Sequence, residues 1–370
     1  MSNTSFKRFK SNAPGTPYEY LVLLALTGLW VVLVLIVDPR GDFPLLDDWS
    51  FARSVKTLIE EGKLYYDGWN TPTLTLQVLY GALFCLPFGF SFETLRIASL
   101  VAGLAGGIGT YVLLRGASAS VYVAVIGSMT LMLNPGYFQH AFTFMTDVPF
   151  TALVVISAVF FLRSLHTGSD RDLIIATILA SCATLVRQPG LAVPIGFGIA
   201  LLVTSTLDKR VLVRSVLPFA ATLSVYIVHS IFIDYLGMTP VMAGAFQESI
   251  IARLEAQGAI GVVWDAFKLV EALFAHIGLL VLPVLLVLLA FWFSENRLAS
   301  GTKRFLLAIS PVLFILIYWR FWAPDLPVKI FGMAHTVIHG PRPWVAADEP
   351  HLFRQIIWIL EITATALMLY

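Results

Sequence analysis

Charge is what this sequence has least of. Of 370 residues only 13% are charged, 24 basic and 23 acidic, while 58% are hydrophobic. Soluble domains carry about 25% charged residues, so an ordinary soluble protein is excluded. The net charge of +1 leaves no broad basic field for nucleic acid. Cysteine is nearly absent too. Cys85 and Cys182 stand far apart in apolar segments, give neither a disulfide framework nor metal-ligand spacing, and read as buried thiols. There is no P-loop, nucleophile elbow or dinucleotide fingerprint. Long soluble tracts, low-complexity segments and clear repeats are missing as well.

What the chain has instead is hydrocarbon, with a mean hydropathy of +0.82. Apolar runs near the ~20 residues that cross a bilayer recur throughout. About ten are legible, at 21–37, 97–114, 121–138, 148–165, 173–186, 191–206, 211–233, 269–293, 305–322 and 352–370. Lipid offers the backbone no hydrogen-bond partners, which leaves helices or closed barrels. Continuous apolar runs without alternation choose helices. The expected fold is all-α: one polytopic transmembrane helix bundle over 1–370. The first span follows Lys7, Arg8 and Lys10 without a small-residue cleavage site, and reads as an uncleaved anchor. No polar tail follows Tyr370, and the expectation there is a truncated end.

Segment 74–90 is apolar but broken by Gln77, Pro87 and glycines. Counted as a full span, it would turn the loops 166–172, 208–214 and 295–304 outward. Those loops hold Arg171, Lys209, Arg210, Arg214, Arg297, Lys303 and Arg304, and short basic loops stay in the cytoplasm. The segment is therefore read as interfacial or re-entrant. The external face then collects 38–96, the turns 139–147 and 187–190, and 234–268 and 323–351. Within the first external loop, Asp47 or Asp48 is placed to cap a helix that runs to Glu61, with Gly62 as its stop. Trp49, Ala52, Val55 and Ile59 lie opposite Arg53, Lys56 and Glu60, the pattern of an amphipathic helix on the membrane. A second external helix is expected at 245–257.

The topology brings Asp47, Asp48, Asp147 and Arg187 to one face. For Asp47 and Asp48 two readings stand. One is a helix cap and its neighbour; the other is a general base with a second carboxylate that orients the acceptor or raises the base's pKa. Asp147, before a span and followed by Val148-Pro149, is again a cap or an acidic group brought by a second external turn. Arg187, followed by Gln188-Pro189-Gly190, either snorkels to the interface or holds a phosphate through bidentate bonds. Gly103 and Gly107 read as close helix packing. His335, His339 and Arg342 share the last external loop, as solvated residues or as contacts to an anionic substrate, and their spacing makes no zinc site.

These residues give the chain a resemblance to GT-C-type polytopic glycosyltransferases, in the branch of protein O-mannosyltransferases and lipid A aminoarabinose transferases. Asp47-Asp48-Trp49-Ser50-Phe51-Ala52 resembles the acidic-acidic-x-x-aromatic-Ala run of that family's first external loop. Glu61-Gly62, the region of Pro72, Leu95-Arg96-Ile97, Thr146-Asp147-Val148-Pro149 and Leu185-Val186-Arg187-Gln188 resemble later landmarks. The resemblance covers roughly residues 20–210. Many relatives carry glutamate where Asp48 stands, and no soluble carboxy-terminal domain is recognisable here.

The resemblance implies an integral membrane enzyme of the bacterial inner membrane with an external active site. It would move a sugar from a polyprenyl-phosphate carrier to an acceptor glycan, lipid or protein, through a hydroxyl, amine or phosphate, with inversion. Asp47 is the expected base, and Asp48 and Asp147 orient hydroxyls. Arg187, with Gln188 and Arg342, binds the donor phosphate. No cofactor is demanded, although related enzymes with pyrophosphate-linked donors use a divalent metal. The alternatives are a transporter or flippase for a lipid-linked sugar, whose ionisable groups would lie near the midplane, and an assembly subunit whose acidic groups need not converge.

Overall fold

A computed structural model of the chain describes residues 17–241 apart from 46, 71 and 72, and, further on, residues 248, 251–252 and 254–264. Among the described residues it is helical throughout, without strands. The order is α1 (Pro17–Val37), α2 (Asp48–Glu61), α3 (Thr75–Phe88), α4 (Phe92–Gly116), α5 (Val121–Met132), α6 (Pro135–Ala141), α7 (Asp147–Thr167), α8 (Asp170–Thr184), a 3-10 turn (Gln188–Leu191), α9 (Ala192–Thr204) and α10 (Lys209–Tyr235). Of these, α1, α4, α7 and α10 are long and apolar enough to cross a membrane. A separate compact unit begins at Glu248, and its residues 254–264 are helical, past the expected end at 257. The expected spans at 269–293, 305–322 and 352–370 lie outside the described residues.

Local chemistry sets the helix ends. Ser91, Ser120, Ser169 and Asp208 each accept a backbone N–H from the residue three further on. Gly62 and Gly168 close α2 and α7 in the left-handed region. The run expected as one helix over 121–138 is two. Asn134-Pro135 interrupts it, with Asn134 capping α6 through the amide of Tyr137 and proline at the first helical position, where its missing N–H costs nothing.

The bundle has two distinct ends. α4 and α7 run parallel, with Gly106 beside Ala152 and Gly116 beside Leu162. At the end where they finish lie Glu19–Arg115 (2.6 Å), Arg163–Asp172 (3.6 Å) and the pairing of Asp170 with Arg210 and Arg214. At the end where they start lie the first loop and the turns before α7 and after α8. Both termini of α3 belong to this second end. Leu76 N donates to Leu185 O (3.2 Å) at its start, and α4 begins four residues after its last. Its 14 residues rise only about 21 Å, short of a ~30 Å hydrocarbon core.

Glycine lets α4 approach its neighbours. A Cβ on Gly103 would sit 2.7 Å from Trp30 Cζ2, and one on Gly107 2.5 Å from Met132 Cγ. Gly107→Val is expected to cost about 1–3 kcal/mol by overpacking, read as a lower melting temperature of the detergent-solubilised protein. An unchanged melting point would show that α5 simply moves aside.

Candidate functional site

The site is built on a loop that Arg96 holds from beneath. Arg96 is buried at the start of α4, and its guanidinium donates to the carbonyls of Pro39 (3.0 Å), Gly41 (2.7 Å) and Phe43 while lying over the Phe43 ring. These carbonyls pair its two terminal nitrogens and offset the cost of burying the charge. The loop then enters α2. Its apolar face is covered by protein: Phe51, Ala52 and Val55 pack on Val78, Ala82 and Cys85 of α3 and on Phe144. Trp49, expected on that face, is exposed, and its place is taken by Asp48. The covering partner selects positions 48, 51, 52 and 55 as the buried stripe, at the i, i+3, i+4, i+7 spacing of a helix face.

This rotation separates the two carboxylates. Asp48 is 1% exposed. Its Oδ1 accepts the amide of Leu45 (2.7 Å) and its Oδ2 the amide of Phe144 (3.2 Å). It thereby latches the first loop to the turn before α7. Asp47 is exposed at the N-cap position; its backbone carbonyl accepts the amide of Ser50 (3.2 Å), but its carboxylate makes no capping bond and has no hydrogen-bond or ion-pair partner among the described residues. Neither carboxylate caps α2.

Burial pushes the Asp48 carboxyl above the ordinary 3.8, against the opposing pull of the two amides. Between 3.8 and the raised value the folded protein keeps a proton that the unfolded chain has released. Stability therefore falls as pH rises through that window and stays lower above it. Asp48→Asn should flatten this slope in melting curves taken across the acidic range. Asp48→Ala, which strands two amides, should cost about 1–3 kcal/mol at any pH. A slope retained in the asparagine variant would assign the titration to another group.

Below α2 lies a second polar braid. Ser50 Oγ donates to Asn70 Oδ1 (2.5 Å), and Asn70 Nδ2 donates to Ser54 Oγ (2.8 Å). Asp67 takes the amide of Trp69 and pairs with Arg53. These bonds fold the chain after α2 back beneath it.

Asp147 opens α7, and Arg187 follows α8 in extended backbone before the 3-10 turn. Their side chains form an ion pair, each 38% exposed. Thr146, not Asp147, occupies the N-cap of α7, and Asp147 is committed to the guanidinium. The turn carrying Arg187 is pressed against α8: a Cβ on Gly190 would lie 2.5 Å from Thr184 N, so only glycine fits. Gln188 Nε2 donates to Tyr226 of α10 (3.3 Å). The three turns meet on α3. Leu76 holds Leu185, and Gln77 Nε2 faces the carbonyls of Phe144 and Met145, both at 3.5 Å.

Beside this meeting point is a half-open apolar groove of about 440 Å³ between α3, α4 and α7. Leu79, Leu83, Ala105, Leu153 and Ile156 line it, and Pro149 and Val186 bring it next to Asp147 and Arg187. Its size falls in the range of small-molecule sites.

Asp47, Asp48, Asp147, Arg187 and Gln188 thus belong to one end of the bundle, linked through Phe144 and α3. Arg342, His335, His339 and Pro72 lie outside the described residues. The described residues present no cluster of three acidic, histidine or cysteine side chains placed to hold a metal. Sequence reading treated Arg96 only as the residue opening a span and Gln77 only as a break in an apolar run. A lone glutamine and a lone arginine in otherwise apolar helices were the available signals, because such groups are buried only with partners.

Residues 78–233 match the family model of dolichyl-phosphate-mannose-protein mannosyltransferases. That region runs from within α3 into α10 and includes Phe144, Asp147, Arg187 and most of the groove lining, while Asp47, Asp48, Leu76 and Gln77 precede it. Comparison with curated proteins finds no match. Together with the apolar helices, the similarity supports an integral membrane glycosyltransferase.

Proposed function

We propose that the protein transfers a sugar from a polyprenyl-phosphate carrier to an acceptor hydroxyl at the acidic end of its bundle, with inversion. The observation that carries this reading is the Asp147–Arg187 pair at an apolar groove, beside a loop that presents the unpaired Asp47. A lipid-linked donor has the matching parts: a hydrocarbon chain for the groove and a phosphate for the guanidinium. Asp47 takes the proton of the acceptor hydroxyl. The acceptor oxygen attacks the anomeric carbon from the side opposite the phosphate, and the bond from that carbon to the phosphate oxygen breaks. Polyprenyl phosphate leaves with the electron pair, and Arg187 stabilises its growing charge. Asp147 holds Arg187 in place and releases part of it to the donor. The phosphate is a good leaving group, so the scheme needs no cofactor.

The basic loops at the opposite end, with Arg171, Lys209, Arg210 and Arg214, favour a cytoplasmic position for that end. The acidic end then faces outward, in a bacterium toward the periplasm. The acceptor is a glycan, lipid or protein that reaches this face.

The test is transfer of labelled sugar from polyprenyl phosphate in membranes containing the full chain. Label appearing in an acceptor, with release of polyprenyl phosphate, is the expected result. Label that crosses the bilayer while still lipid-linked would replace the enzyme with a transporter.

A further inference from the structure

Trp69 is 61% exposed, although the turn that carries it is firmly braced. Asn70 N donates to Asp67 O (3.0 Å), and Trp69 N donates to Asp67 Oδ1 (3.2 Å). The Asn70 side chain is buried between Ser50 and Ser54 of α2. Beside the turn, Arg53 Nη1 donates to Asp67 Oδ2 (3.2 Å), and the guanidinium lies over the Tyr65 ring, 5.1 Å from its centroid. The Arg53 side chain is still 58% exposed. Its Nε and Nη2 have no hydrogen-bond partner among the described residues. Indole and guanidinium both stand near Asp47. Ser50, whose hydroxyl bonds Asn70, donates its amide to Asp47 O (3.2 Å), one turn earlier. Both groups are thereby tethered within two turns of Asp47 along α2. None of these residues lines the apolar groove.

We propose that Trp69 and Arg53 bind the acceptor, and that the acceptor is a neutral glycan. This rests on the transferase reading above and chooses among its acceptors. A pyranose ring has an apolar face of C–H groups and an edge of hydroxyls. The indole offers the matching flat apolar face, and the open guanidinium nitrogens donate to hydroxyl oxygens. Both are held in place before the acceptor arrives, so binding costs little ordering entropy. Charge selects the kind of glycan. Asp47 and Asp67 against Arg53 leave the spot with a formal negative charge. Juxtaposed like charges are costly, which disfavours phosphorylated acceptors, uronic acids and anionic lipid headgroups. A peptide is gripped along an open sheet edge or a helix groove, whereas one indole with one donor fork fits a single ring. The bound ring presents a hydroxyl to Asp47, which takes its proton in the transfer step.

The experiment measures equilibrium binding to the full chain in nanodiscs by saturation-transfer NMR. The probes are mannotriose, a trisaccharide ending in a uronic acid, a serine-rich peptide and a short-chain polyprenyl phosphomannose. Wild type is expected to bind mannotriose more tightly than the acidic trisaccharide or the peptide. Trp69→Ala should weaken mannotriose about tenfold, the scale of one aromatic contact, and leave the lipid unchanged. Trp69→Phe, which keeps a smaller aromatic face, should lose less. Weakening of lipid and sugar together would make Trp69 structural and overturn the proposal. Unchanged mannotriose binding in Trp69→Ala overturns it too, and leaves the indole to the membrane interface. Tighter binding of the peptide or the acidic trisaccharide by wild type overturns the neutral-glycan assignment without any variant. Wild type that binds the lipid but not mannotriose overturns the proposal and keeps the transferase reading. Absence of lipid binding removes that reading, and the proposal with it.

Discussion

Asp47→Asn is expected to lower sugar transfer by about 10²–10⁴-fold, the usual contribution of a positioned general base, while the protein melts like wild type. The two halves of this result have separate causes. Asp47 is exposed, makes no capping bond and has no ion-pair partner among the described residues, so stability does not depend on its charge. Its position does depend on its neighbours. The adjacent Asp48 is anchored to the amides of Leu45 and Phe144, and Arg96 holds the preceding loop by three carbonyls. Asparagine keeps the shape of the side chain and removes its ability to take a proton. Transfer rates with saturating donor and acceptor, compared at equal amounts of folded protein, make the check. Unchanged transfer would move the base to another residue.

The second large effect is expected at Arg187. Arg187→Ala should reduce transfer by about 10²–10³-fold, the loss seen when a group that stabilises developing negative charge is removed. Part of that loss should appear as weaker donor binding, because the guanidinium would meet the phosphate in the ground state too. Arg187→Lys keeps the charge but not the planar fork, and recovers only part of the activity. Competition by bare polyprenyl phosphate separates the two contributions: its inhibition should weaken in Arg187→Ala and stay unchanged in Asp47→Asn. Inhibition of equal strength in wild type and Arg187→Ala would remove the phosphate role and leave Arg187 as a partner of Asp147 alone. In both variants the groove between α3, α4 and α7 is intact, so residual binding through the hydrocarbon chain is expected.

Hydropathy and capping chemistry made the helices legible, because the membrane penalises every unpaired backbone group and leaves the chain few alternatives. The cap at Asn134-Pro135 was equally legible, yet the apolar run across it reads as one helix. Chain order identified Asp47, Asp48, Asp147 and Arg187, since charges at span ends are few in so apolar a sequence. Their division of labour was not written there. Asp47 and Asp48 are chemically identical neighbours. What distinguishes them is which one faces α3 and the Phe144 amide, and a helix face is chosen by the partner that covers it. Asp147 read as a cap or as an acidic group brought by a second external turn, and its pairing with Arg187, 40 residues away in sequence, came only with the packing of α8.

Sequence alone determined that this is a helical membrane protein and which few charged residues can do chemistry, because composition and periodicity are local properties. Only the tertiary structure decided that Asp48 is a latch, that Asp147 holds Arg187, and that an apolar groove lies beside them. Those are facts of burial and pairing between distant segments, and the energy of a buried polar group depends on neighbours that sequence order does not name.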